Sequence, residues 1–109
     1  MKIETDSRNG YHIFRIQEDL DADADLSLLK EMIREKVNQN ISRIALVFTE
    51  KTYFYSATLS VLVQCLGIVK EQAGELAIVQ PNDGILDTLR LTGLSRMINI
   101  FNTENEIGT

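Results

Sequence analysis

Hydrophobic and polar positions along the chain alternate between strand-like and helix-like spacing. Lys2 to Thr5 can form a short first strand, and Asp6-Ser7-Arg8-Asn9-Gly10 is a dense turn signal. Tyr11 to Ile16 alternates imperfectly and reads as the return strand of a hairpin. Beyond it Leu26, Leu29, Ile33 and Val37 recur at helical spacing, with Asp25 placed to cap that helix. Ile44-Ala45-Leu46-Val47-Phe48 is a short, partly β-branched apolar run, the pattern of a buried strand. A long helix opens at Ser56 and stops at Gly74, and Leu76 to Val79 forms the next strand, ended by Pro81. Asn82 or Asp83 can cap a third helix carrying Leu86 and Leu89, with Gly93 as its stop. Met97 to Phe101 reads as a last strand, and Thr103 with Glu106 is a capping-box pair opening a final helical turn. After the hairpin, strands and helices alternate. That order predicts an α/β fold: a mostly parallel sheet with an N-terminal antiparallel hairpin strand and helical crossovers.

The long central helix carries three stripes. Leu59, Leu62, Val63, Leu66, Val69 and Ala73 share a face assigned to the core. Val61, Cys65 and Ile68 form a second apolar strip, either covered by a neighbouring element or left as a partly exposed patch. Ala57, Ser60, Gln64, Gly67 and Glu71 define a small or polar face toward solvent, suited to docking a partner. Its start follows the aromatic cluster Tyr53-Phe54-Tyr55 and is rich in hydroxyls, at a place where free N–H groups and the helix dipole favour an anion. Ser56 is placed to be the N-cap, a role worth about 1 kcal/mol.

Composition narrows the function classes. The 109 residues amount to one domain, and a formal net charge of −5 without any cluster of Lys and Arg argues against nucleic-acid binding. No apolar run approaches the roughly 20 residues of a membrane helix, and the first residues lack a signal-peptide core. A single cysteine fits a reducing compartment, so the cytoplasm is expected. The acidic run Glu18 to Asp25 fails the spacing of a calcium loop, since Ala24 stands where Gly is needed and Lys30 where Glu is needed. Lone His12 reads as a surface or hairpin residue and lone Cys65 as a packing residue; neither has companions for a metal site or a nucleophile–base pair. No cofactor, metal or enzymatic activity is expected.

Several segments, in order, resemble the STAS domain of bacterial anti-sigma factor antagonists. Leu20-Asp21-Ala22 is similar to the family's L-D-A before its first helix, and Gly74 to Pro81 to its next turn and strand. Leu89-Arg90-Leu91-Thr92-Gly93-Leu94 matches its L-x-L-T-G-L segment. Where many members read D-S-S-G-L-G, with the second Ser phosphorylated by an anti-sigma factor kinase, this chain reads Tyr55-Ser56-Ala57-Thr58-Leu59-Ser60. The resemblance implies a single STAS-like domain over residues 1–109 with helices mainly on one sheet face. It implies a non-enzymatic regulator that binds an anti-sigma factor or switch kinase, without the usual phosphoserine switch because Ala57 holds the acceptor position. Tyr55, Ser56, Ala57, Thr58, Ser60, Gln64 and Gly67 are then the expected partner-binding residues, and Ser56 or Thr58 the remaining candidate phosphoacceptors. The alternative is a STAS subunit or scaffold of a transporter ATPase or sensory complex; a phosphatase is a further possible partner. Relatives usually continue through a full C-terminal helix, shortened here. Open apolar surface near Phe101 and Ile107, with self-association as a homo-oligomer or partner capture at that edge, is therefore expected.

Overall fold

Asn9 and Gly10, at φ of 50° and 84°, close a two-residue hairpin between β1 (Ile3–Arg8) and β2 (Tyr11–Ile16). The turn signal at Asp6 to Gly10 therefore overstated the loop: Asn-Gly alone supplies both left-handed residues, and Asp6 to Arg8 stay in the strand, paired with Ile13 to Tyr11. The computed structural model describes residues 1–108. The hairpin leads into α1 (Ser27–Asn38), β3 (Arg43–Val47), α2 (Ser56–Glu71), β4 (Glu75–Val79), α3 (Asp83–Leu91) and β5 (Asn99–Phe101). Asp25 lies one position before the cap it was expected to fill. Its carboxylate accepts from the Ser27 N–H at 2.9 Å, and the Ser27 hydroxyl, together with that N–H, holds its pKa below the usual value.

The strands lie in the order β1-β2-β3-β4-β5, with β1 antiparallel and the other pairings parallel. Every crossover thus steps one strand in the same direction. Right-handed connections of that kind place their helices on one side of the sheet. The main core agrees: Phe14, Ile44, Leu46, Leu76 and Ile78 from the strands meet Leu29, Ile33, Leu62, Leu66, Ile85 and Leu89 from α1, α2 and α3.

A second, smaller core lies on the other face, where Tyr11, Ile13, Ala45, Ala77 and Val79 surround Ile107. After β5, Thr103 and Glu106 form the expected capping box around a single 3-10 turn, Glu104–Glu106. Arg15 grips Glu104 through two bonds of 2.6 and 3.0 Å, and the Asn9 side chain donates to the Ile107 carbonyl at 2.8 Å. Ile107 is 0% exposed, and Phe101 is partly buried edge-on against Tyr11. The open apolar surface expected there is absent because the turn lays Ile107 over the small Ala45–Ala77 pair of the sheet.

Candidate functional site

The connection between β3 and α2 is anchored from inside by Phe48 and Phe54, whose buried rings meet edge-on at 4.9 Å. Thr52 between them is fully buried, and its hydroxyl accepts from the Leu20 N–H at 3.1 Å. Thr49 donates to Asp19, so the proton shared between the two threonine oxygens at 2.8 Å comes from Thr52. On the other side Asn82 donates to the carbonyls of Glu50 (2.9 Å) and Thr52 (2.8 Å), while its oxygen accepts from Ile85 N–H and caps α3. Three loops at the C-terminal edge of the parallel strands are thereby joined. With Phe54 turned in, Tyr53 and Tyr55 point out and are 59% and 45% exposed.

Tyr55, in extended backbone, is the N-cap of α2, and no side chain caps the helix. Ser56 is the first helical residue, so the capping role expected of it falls one position too late: the cap is set by where the backbone turns helical. Ser56 is exposed, and the first turn of α2 contains no acidic residue.

The buried face of α2 is formed by Thr58, Leu62, Cys65, Leu66 and Val69, rotated from the stripe expected. The cause is α1, which packs against α2 and covers the Val61–Cys65–Ile68 strip. Cys65 is buried, and burial pushes its thiol up to about 11. Val63 and Ala73, expected in the core, are exposed, Val63 at 49%. Thr58, expected at the partner surface and as an acceptor, is 1% exposed. The third stripe is placed as expected: Ala57, Ser60, Gln64, Gly67 and Glu71 are all exposed. Gln64 accepts from the Lys30 ammonium at 2.8 Å, and a Cβ on Gly67 would meet nothing within 4 Å. Beside this face lies an open cleft of about 400 Å³ lined by Ser56, Leu59, Ser60, Val63, Gln64, Thr92 and Leu94.

The structure thus brings Tyr55, Ser56, Ala57, Ser60, Gln64 and Gly67 onto one surface and removes Thr58 from it. Tyr53 was not singled out in the sequence, although Tyr-Phe-Tyr after a strand alternates out, in, out. This surface presents hydroxyls, one amide, small residues and two phenols. Among the described residues no group of His, Cys, Asp or Glu is placed to hold a metal ion, and no helix is long and apolar enough to cross a membrane.

A sequence profile of the STAS domain matches residues 2–107. Over 77 residues the chain is 31% identical to a Thermotoga maritima protein named "Putative anti-sigma factor antagonist", an overlap of 71% of this chain and 68% of that protein. A homologue from Thermotoga neapolitana, named in the same terms, shows the same 31% identity over 77 residues, 71% of this chain and 68% of its own. A crystal structure of the Thermotoga maritima protein superposes with a TM-score of 0.82 at 24% identity, covering 95% of this chain and 89% of that one. The Bacillus cell fate determinant SpoIIAA in its phosphorylated form does so with a TM-score of 0.67 at 14% identity, covering 96% and 95%. At these identities the two structures speak to the fold.

Proposed function

The chain belongs to the STAS domain family, and on that premise we propose that it is a non-enzymatic, protein-binding regulator of the anti-sigma factor antagonist kind. It acts in the cytoplasm and docks on a serine-kinase anti-sigma factor through the start and outer face of α2. The observation that carries this reading is the continuous exposed face of Ala57, Ser60, Gln64 and Gly67, low in relief and bordered by an apolar cleft. Such a face offers a partner close backbone approach and a pocket for an anchoring side chain.

The phosphoserine switch is lost in this reading. Ala57 presents a methyl group to solvent at the position where the family resemblance places the acceptor. Ser56 is the one hydroxyl in the first turn that could replace it, because Thr58 is buried. A phosphate on Ser56 would bring a charge of about −1.5 to −2 to the uncapped helix start. It would also sit about 100° around the helix from the usual acceptor, facing a docked kinase differently.

The test uses the purified serine-kinase anti-sigma factors of the native organism, each in turn. One of them is expected to bind the wild-type chain and not Ser60→Arg, with the two chains sharing a thermal midpoint. With ATP the wild-type mass stays unchanged, whereas Ala57→Ser gains one phosphate. Stoichiometric phosphate on wild-type Ser56 would make the protein an ordinary switched antagonist with a displaced acceptor.

A further inference from the structure

Tyr53 is the most exposed aromatic ring of the chain and stands beside the proposed docking face without belonging to the residues that define it. Its ring lies against the first turn of α3. A Cβ built on Gly84, in the first turn of α3, would lie 2.8 Å from Tyr53 Cε1 and 3.3 Å from its Cδ1. The ring therefore occupies a notch that exists only because residue 84 has no side chain. The backbone carrying it is fixed as well: Asn82 holds the carbonyls on either side of the Lys51–Thr52 pair, and Phe54 is locked in the core next door.

We propose that Tyr53 is an anchor residue for the protein partner that docks on α2, presented by the Gly84 notch, with Asn82 as its positioning residue. This assignment rests on the functional reading above. A tyrosine whose backbone is held and whose ring already rests over Gly84 loses less conformational freedom on binding. It also offers a large apolar face with a hydrogen-bonding tip, the combination enriched among residues that dominate interfaces. Asn82 links two helices in this arrangement. One atom of its amide caps α3 and the other holds the loop that leads into α2, so both walls of the surface are set by the same side chain.

Gly84→Ala is the discriminating variant. It fills the notch and displaces the ring, yet Ala suits a helix better than Gly, so the fold is not weakened. Asn82→Asp keeps an oxygen to cap α3 but loses both N–H donors and sets a carboxylate against two carbonyls. The chain is labelled with 3-fluorotyrosine, giving fluorine resonances for Tyr11, Tyr53 and Tyr55, of which buried Tyr11 is the internal reference. Binding is measured to the anti-sigma factor kinase that binds wild type. We expect the Tyr53 resonance to move on complex formation while Tyr11 stays. Tyr53→Ala and Gly84→Ala should each weaken binding about tenfold or more at an unchanged or higher thermal midpoint. Gly84→Ala and Asn82→Asp should shift the Tyr53 resonance in the free chain. Should Tyr53→Ala or Asn82→Asp lower the midpoint, Gly84→Ala decides alone. If Ser60→Arg abolishes binding but Gly84→Ala binds as wild type and the Tyr53 resonance does not move, Tyr53 is a bystander and the inference fails by itself. If Ser60→Arg binds normally, or no such kinase binds the wild-type chain, the functional reading fails and takes the inference with it.

Discussion

His12 faces the helix side of the sheet, its ring edge-on to Phe14 at 4.8 Å and its Nε2 buried without a hydrogen-bond partner. The sequence pointed to a surface or hairpin residue, and His12 is a hairpin residue opposite Ser7; the pleat of β2 turns positions 12, 14 and 16 toward the helices. Burial, helped by the Lys36 ammonium and opposed by Asp6, lowers the proton affinity of the ring. The folded chain thus binds fewer protons here than the unfolded chain. Stability must then fall as pH drops through the ordinary histidine range near 6.5. Thermal midpoints measured from pH 7.5 down to 5.5, values bracketing that range by about one unit, should decline for wild type and decline less for His12→Leu. Equal slopes would mean that His12 escapes to solvent when charged. A buried nitrogen left unpaired is a fact of tertiary packing, and no local pattern in the hairpin announces it.

At the scale of single elements, α2 shows how far periodicity carries. Its solvent face was legible because small and polar residues recur there without interruption. Its buried face was not, since a helix apolar around most of its circumference leaves its rotation to be set by whatever packs against it. Here α1 chose the Cys65 side, which drew Thr58 inward and turned Val63 out. Helix starts were legible to within a residue, as Asp25 and Ser56 illustrate, because a cap is decided by backbone geometry that neighbouring hydroxyls and carboxylates can equally accompany, whereas α2 ends at Glu71, short of the stop expected at Gly74. Gly67 gives this face a direct check. Its Cβ position is empty, so Gly67→Ala should gain up to about 1 kcal/mol of stability by helix propensity alone, read from urea unfolding. A loss of stability would place an unseen neighbour against that face.

For the whole molecule, the mostly parallel sheet with helical crossovers followed from the alternation of patterns, whereas strand order and the gathering of helices on one face were what the STAS resemblance implied. They agree with crossovers that are local and have one favoured hand. What lay beyond the sequence was the route of the last residues. The capping box at Thr103 and Glu106 was readable, but the seat of Ile107 is made by Ala45 and Ala77, more than half the sheet away in sequence and recognisable only once β3 and β4 are paired. Ile107→Ala should cost about 2–5 kcal/mol, the range for emptying a core site of this size, with the loss measured by urea unfolding. A cost near zero would show that the turn contributes nothing to holding the fold.

That turn also decides which way the molecule can be tethered. Gly108 lies against Asn9 and beside Tyr11, Arg43 and Glu75, on the side of the sheet away from all three helices. A linker, fusion or sensor surface joined there is separated from α2 by the thickness of the sheet. An immobilised copy would keep the exposed face of α2 turned outward, so the same molecule can be anchored at its back and leave that face free.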